Sequence, residues 1–169
     1  MTGDPIRIRF LASLTADRRR VYSKQSRGQP VHAGTHIRTR EIVLDSDLVG
    51  HTKEMARILT HEVFHFTWVR LGNRNRKLYG EMIRREFAEG ARGELGWSAE
   101  WRKRLLRERS GDAYSGSLWR EYLCESFCDT AAWMFAGIAK HDEFTLAQRY
   151  RSRRARWFQS MLSGSRIPI

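Results

Sequence analysis

Near the N-terminus, apolar and charged residues alternate, which is the pattern of a strand with one buried face. Residues 6–10, IRIRF, follow this pattern and predict a first β-strand. A polar stretch follows, and residues 28–35 contain two glycines and a proline, which favour a loop. Residues 37–44, IRTREIVL, predict a second strand that ends before the acidic segment DSD. The two strands indicate a small N-terminal sheet, antiparallel or mixed.

Beyond residue 50, apolar residues recur with the spacing of amphipathic helices. A first helix is expected to begin at Thr52 and to end near Leu71, because Gly72 and Asn73 favour a helix terminus. Further helices, with loops between them, are predicted at residues 80–91, 98–109, 118–139 and 144–162. No internal repeat or interdomain linker is evident, so residues 1–169 are predicted to form a single α+β domain in which the sheet packs on a predominantly helical body.

The composition adds a strong positive charge. The chain has 31 lysines and arginines against 19 acidic residues, a net charge of +12, and most of the basic residues are arginines. A field of this sign can attract nucleic acid or an acidic partner. No recognised nucleic-acid motif accompanies the charge, and a solvated basic surface is the alternative interpretation.

The sequence also bears on location. The N-terminal segment lacks the apolar core of a signal peptide, and the longest uncharged apolar run, residues 130–139, is too short to cross a bilayer. Cys124 and Cys128 lie in one helical stretch rather than in a spaced disulfide framework. We therefore expect a cytoplasmic protein without a membrane partner, and we expect the two cysteines to be small buried residues.

The stretch ILTHEVFHFTW carries the clearest chemical signal, His61-Glu62-x-x-His65, within the first predicted helix. Residues four apart on a helix share a face, so both imidazoles can point at one metal ion with Zn–N bonds of about 2.1 Å. Glu62 points to the flank, where it can act as a general base on water. This spacing predicts a zinc site that can perform hydrolysis.

A catalytic zinc site needs a third protein ligand. The histidines outside the motif are isolated, whereas Glu125 and Asp129 lie one turn apart on one uninterrupted helical run, CESFCDTAAW. The neighbours of Glu125 are largely apolar, and a carboxylate in such surroundings needs a partner. We therefore predict Glu125 as the third ligand and Asp129 as the acceptor of a hydrogen bond from the other ring nitrogen of a ligand histidine.

His61-Glu62-x-x-His65 followed by Glu125-x-x-x-Asp129 resembles the gluzincin branch of zinc metallopeptidases. Residues 34–68 are similar to the substrate-edge strand and active-site helix of small intracellular zincins, with REIVLDSDL as the strand. The resemblance covers residues 34–68 and 121–136. It implies a zincin-like fold and a zinc-dependent peptidase that acts on a peptide or protein substrate, with Glu62 as general base.

Two subfamilies are similar in different ways. ImmA/IrrE-like peptidases share a glutamate followed by an alanine-rich helix, as in ESFCDTAAWMFAG. SprT-like peptidases share a helix like HEVFHFTWVRLGN, and the basic charge would suit those that act at DNA. They take a third histidine soon after the second, however, and Tyr79-Gly80 occupies that place here. The ImmA/IrrE-like resemblance is therefore the stronger one.

Three further expectations complete the sequence-based picture. Tyr114 is the candidate donor to the developing oxyanion, with Tyr122 and His141 as alternates. The rival function is a non-catalytic protein that a metal stabilises and whose basic surface contacts nucleic acid. The tryptophans at helix-compatible positions are expected in the core: Trp97, Trp101, Trp119, Trp133 and Trp157.

Overall fold

A computed structural model describes residues 2–17, 20–23, 28–108, 114–163 and 169. Short strands lie between residues 7 and 45 and helices make up most of the chain beyond residue 51, which confirms the α+β prediction. The strands are β1 (Arg7–Leu11), β2 (Leu14–Asp17), β3 (Arg20–Ser23), β4 (Gln29–Pro30), β5 (Ala33–His36) and β6 (Glu41–Asp45). The helices are α1 (Thr52–Arg70), α2 (Asn73–Ala88), α3 (Trp97–Glu108), α4 (Gly116–Phe135) and α5 (Gln148–Leu162), with a 3₁₀ turn at Ser46–Gly50 before α1.

The strands form two small sheets. In the first sheet β6 is central, with β1 parallel on one side and β5 antiparallel on the other, so this sheet is mixed. In the second sheet β2 pairs antiparallel with both β3 and β4. Ile42 and Leu44 of β6 are fully buried, because β6 has neighbours on both edges and α1 against one face. The order leaves β5 as an edge strand within the described part of the chain.

The strand prediction for residues 37–44 was wrong in its first half. Residues 37–40 form a turn in which Arg40 has a positive φ of 50°, and the strand begins only at Glu41. The segment interpreted as a loop, residues 28–35, instead contributes β4 and most of β5. REIVLDSDL therefore corresponds to the central strand and its exit, and the edge strand is β5.

The helix predictions differ mainly at their ends. The helix predicted at residues 80–91 begins at Asn73, because the arginines and lysine expected in a loop are good helix formers and Tyr79 is fully buried. The predicted helices at 118–139 and 144–162 are shorter, at Gly116–Phe135 and Gln148–Leu162. The end of the helix predicted at 98–109 and the start of the loop predicted at 111–117 fall on residues 109–113, which lie outside the described residues.

Helix α1 lies between two apolar clusters, and this position determines which of its faces reaches the site. Ile58 and Phe66 pack with β6, whereas Phe64 packs with Phe127 and Phe158 in the helical core. The remaining strip of α1 faces α4. The polar residues of the motif His61-Glu62-x-x-His65 lie on this strip.

A buried ionic network fixes the segment before α3. Arg154 of α5 donates to Glu86 of α2 and to Glu94, each with a closest distance of 2.7 Å, and all three side chains are almost fully buried. Glu94 also accepts from Lys103 at 2.9 Å and from the hydroxyl of Tyr122 at 2.5 Å. Burial raises the pKa of Glu94, but the charges of Arg154 and Lys103 outweigh it and lower the pKa to about 2. Through Glu94 and Arg154 the network joins α2, α3, α4 and α5.

Among the described helices, none is both long and apolar enough to span a membrane.

Candidate metal centre

Helices α1 and α4 pack side by side and bring the predicted metal ligands together. The Nε2 atoms of His61 and His65 lie 3.2 Å apart, and Oε2 of Glu125 lies 3.3 Å from Nε2 of His61. Ligand atoms of a tetrahedral zinc with bonds of about 2.0–2.1 Å are separated by about 3.3–3.4 Å. Both separations therefore match the requirement of one shared zinc ion, and a donor set of two imidazoles and one carboxylate suits that metal.

Asp129 contacts the other side of His61. Its Oδ1 lies 2.7 Å from Nδ1 of His61, and its Oδ2 accepts from the backbone N–H of Ala99 at 3.3 Å. The carboxylate lies directly against Gly96, where a Cβ would stand 2.2 Å from Oδ1. A glycine at position 96 is therefore needed for Asp129 to occupy this place. The arrangement directs Nε2 of His61 toward His65 and Glu125.

Glu62 lies beside the two histidines and contacts the edge strand. Its Oε2 accepts a hydrogen bond from Oγ1 of Thr35 at 2.6 Å. The same hydroxyl lies 3.1 Å from the backbone oxygen of Glu62. Because Thr35 belongs to β5, this hydrogen bond fixes the position of the Glu62 carboxylate relative to the edge strand of the sheet.

The pKa shifts of His61, His65 and Glu125 are those expected where negative charge surrounds a site for a cation. Burial lowers the pKa of His61, but Asp129 and Glu125 outweigh it and raise the pKa well above its ordinary value. Burial likewise lowers the pKa of His65, and the neighbouring Cys124 together with Glu125 raises it to about 9. Burial raises the pKa of Glu125, whereas its hydrogen bond to His61 and the charge of His65 lower it to about 2. Excess negative charge thus surrounds the two imidazoles.

Both cysteines of α4 belong to the same cluster. Sγ of Cys124 lies 3.4 Å from Nδ1 of His65, so this thiol contacts the ring nitrogen that faces away from His61. Cys128 is fully buried, as expected, whereas Cys124 is only partly buried. The hydrogen bond with Cys128 lowers the pKa of Cys124 to about 6, with burial opposing and His65 adding to the effect. Sequence reasoning had given the cysteines no role at this site.

Cys128 competes with Glu125 for the place of third ligand. Its Sγ and one ring nitrogen each of His61 and His65 lie within 4.8 Å of one another. Burial raises the pKa of the Cys128 thiol well above its ordinary value, whereas Glu125 is ionised and 3.3 Å from His61. An ionised carboxylate is a better candidate donor than a neutral thiol, so Glu125 remains the predicted third ligand.

Tyr114 does not reach this cluster. It lies two residues before α4 begins, and the nine residues from Gly116 to Glu125 correspond to about 13 Å along the helix axis. Its ring packs edge-on against Phe87 and Trp119 instead. The structure therefore shows Tyr114 in packing contacts, and its role as the oxyanion donor stays a prediction.

The two alternates are engaged elsewhere as well. The hydroxyl of Tyr122 is buried against Glu94, and Nε2 of His141 lies 2.9 Å from Oε2 of Glu54. Arg102 of α3 is a cation near the ligands that sequence reasoning missed, with its Nη2 3.6 Å from Oε1 of Glu125. Only the packing of α3 on α4 reveals it, because the sequence offers 26 arginines without distinction.

A cleft of about 350 Å³ opens beside the cluster. Its floor is α1, with His61 and Glu62; one wall is the segment from Pro30 to Ala33, and the other is the start of α3. A larger cleft of about 720 Å³ lies between α2 and α5 and contains none of the cluster residues. Of the two clefts, only the smaller one is lined by residues of the cluster, namely His61, Glu62 and Asp129.

In comparisons with known proteins, no family model, no curated protein and no solved structure matches this chain.

Proposed function

We propose that this protein is a zinc-dependent peptidase of the gluzincin type. The observation that carries the proposal is that His61 lies at the spacing of zinc ligands from both His65 and Glu125, with Glu62 beside His61 on the floor of an open cleft. A purely structural helix pair has no need for two imidazoles and a carboxylate at one point. Three protein ligands leave room for a water molecule or a substrate.

Each residue of the site has a distinct role in the proposed hydrolysis. His61, His65 and Glu125 would hold the zinc ion, and when bound it would polarise a carbonyl group and make a water molecule more acidic. Glu62 takes a proton from that water and delivers it to the leaving amine. Asp129 fixes the ring of His61, and Thr35 fixes the carboxylate of Glu62. These hydrogen bonds reduce the reorganisation that the reaction requires.

The edge strand β5 supports a peptide as the substrate. It pairs with β6 on one side, and within the described chain its other edge has no neighbouring strand. Ala33 and the preceding His32 line the cleft. An extended peptide can add to such an edge through main-chain hydrogen bonds. That placement brings the peptide backbone past Glu62, whose carboxylate is bound to Thr35 of the same strand.

The proposal is tested with fluorescein-labelled denatured casein as substrate and by elemental analysis of bound zinc. Wild type is expected to bind one zinc per chain and to release fluorescent peptides. Glu62→Gln should keep the zinc and lose hydrolysis, because it retains the shape of the side chain but not the base. His61→Ala should lose both. A Glu62→Gln variant that cleaves like wild type would refute the assignment of the base.

The proposal includes a reducing, cytoplasmic location, supported by the free thiols of Cys124 and Cys128 within the cluster.

One observation favours a second candidate, a metal-stabilised protein without catalysis. If Cys128 joined His61, His65 and Glu125 as a fourth ligand, the site would be closed. Zinc X-ray absorption distinguishes the two, because a Zn–S bond of about 2.3 Å is longer than Zn–N and Zn–O bonds. A sulfur ligand in the resting protein would favour the closed site, and its absence would favour the peptidase. If the site is closed, the second candidate also requires that the basic surface contacts nucleic acid. Measuring DNA binding at low and high salt tests that requirement.

A further inference from the structure

Two tryptophans that were expected in the core are exposed beside the candidate metal centre. Trp97 is 65% exposed and Trp101 is 37% exposed, one turn apart on α3. Their rings are nearly parallel, with an interplanar angle of 9° and centroids 6.2 Å apart. Trp119 is buried, as expected, and Trp133 and Trp157 pack against the core. The exposed pair therefore needs an explanation that packing does not provide.

The backbone that carries Trp97 is rigidly held. Its N–H donates to Oε2 of Glu143 at 2.7 Å, and Glu143 is held in turn by Arg57. Three residues earlier, Glu94 is fixed by the buried ionic network, and Gly96 lies against Asp129. The first turn of α3 is thus anchored on both sides while its tryptophan ring remains in water. Such preorganisation reduces the entropy cost of binding a ligand.

Trp97 also lines the cleft that contains His61 and Glu62. The facing wall includes Pro30, Val31 and Ala33, whose side chains are apolar. A peptide that extends the sheet at β5 would pass between this wall and the start of α3. Side chains of such a peptide alternate in direction, so one of them points toward Trp97. The tryptophan platform is thereby continuous with the proposed reaction site.

We propose that Trp97 and Trp101 form a subsite for a large apolar or aromatic side chain of an extended peptide substrate. The inference rests on the proposed function in taking a peptide as the ligand. Stacking on an indole ring rewards aromatic and bulky apolar groups and gives little to alanine. Arg102 lies 5.3 Å from the centroid of Trp101. It covers part of that ring, which leaves Trp97 as the main contact surface.

The charges of the cleft favour a peptide over a nucleobase as the occupant. Glu62, Asp129 and Glu143 all line it, and Arg57 is the one lysine or arginine among its lining residues. Arg57 is bound by Glu54 and Glu143. A nucleic-acid backbone requires accessible cations and is repelled by carboxylates. The uncharged backbone of a peptide meets no such penalty.

The test is equilibrium binding, so that it does not depend on catalysis. The protein is the full chain carrying Glu62→Gln, supplied with zinc, and the probes are two fluorescein-labelled nonapeptides that differ only in a central phenylalanine or alanine. We expect the phenylalanine peptide to bind about tenfold more tightly in fluorescence anisotropy. Adding Trp97→Ala should abolish this preference and leave the alanine peptide within about twofold. Phe10→Ala, which removes an exposed aromatic ring of β1, is the matched control and should keep the preference.

Equal binding of the two peptides, no binding of either, or a preference that survives Trp97→Ala would overturn the inference. So would a labelled oligothymidylate that binds through Trp97. Circular dichroism and a thermal melt check that Trp97→Ala folds, which its exposure leads us to expect. Hydrolysis of the same peptides by wild type is scored separately. Trp97-dependent binding without hydrolysis would refute the peptidase function and support the subsite. Hydrolysis without a preference for phenylalanine would support the peptidase function and refute the subsite.

Discussion

Gly96 offers a sharp test of how the candidate metal centre is built. In a Gly96→Ala variant the new methyl carbon would lie 2.2 Å from Oδ1 and 2.5 Å from Oδ2 of Asp129. Carbon and oxygen atoms at ordinary contact are more than 3 Å apart, so the carboxylate has to retreat by roughly 1 Å. It cannot move closer to His61, because Oδ1 already lies 2.7 Å from Nδ1 of that ring.

The displacement acts on the metal through His61. A hydrogen bond that lengthens by about 1 Å leaves the normal range, and the ring loses the contact that fixes its direction. Loss of such a contact to a ligand histidine costs about 10–100-fold in metal affinity. The crowding itself should destabilise the fold by about 1–3 kcal/mol. We therefore expect Gly96→Ala to fold with a lower melting temperature and to bind zinc at least about tenfold more weakly.

Zinc affinity is measured by competition with a chromogenic chelator. Gly50→Ala is the matched control, because a Cβ at position 50 meets no atom within 4 Å. The same glycine substitution is then made in an Asp129→Ala background. There it should have little further effect on zinc binding, because the carboxylate with which it collides is absent. Wild-type zinc affinity in Gly96→Ala, or an undiminished effect in the Asp129→Ala background, would refute the reasoning.

Three other expectations follow from the structure. Arg154→Ala leaves Glu86 and Glu94 buried without their cation, so urea unfolding should show a loss of about 3–5 kcal/mol; a loss below about 1 kcal/mol would contradict this role. Because the pKa of Glu94 is lowered from 4.5 to about 2, its contribution of about 3 kcal/mol is present above pH 4.5 and is lost as the pH falls toward 2. In Glu94→Gln, the acid-induced fall in unfolding free energy should be smaller, and an unchanged slope would exclude this carboxylate. Thr35→Val removes a 2.6 Å hydrogen bond to Glu62, so casein hydrolysis should fall about tenfold with zinc retained, whereas an unchanged rate would show that the hydroxyl is dispensable.

The parts of the site that depend on local geometry could be predicted from the sequence. The spacing of His61 and His65 within one helix, and of Glu125 and Asp129 within another, follows from the helical repeat. The structure brings these four side chains together around His61. Residues that matter through contacts between distant segments gave no comparable signal. Gly96 is one example: only the packing of Asp129 against it shows that this position has no room for a side chain.

The fold errors have the same origin. β5 has the sequence AGTH, which carries almost no strand propensity, and it is a strand because β6 supplies its hydrogen bonds. The turn at residues 37–40 interrupts a segment, IRTREIVL, whose β-branched residues by themselves indicate a strand. In α3, the positions of Trp97 and Trp101 fit a buried helix face, but both side chains are exposed and Trp97 lines the cleft. Periodicity reveals which residues share a face but not what that face meets.

The most direct test of the central claim is the zinc affinity and zinc content of wild type and Glu125→Ala, purified without added zinc. We expect one zinc per chain in wild type and, in the variant, an affinity weakened by more than about 100-fold, since a ligand is removed rather than a supporting contact. Full zinc content and unchanged affinity in Glu125→Ala would contradict the account, because the third ligand would then lie elsewhere.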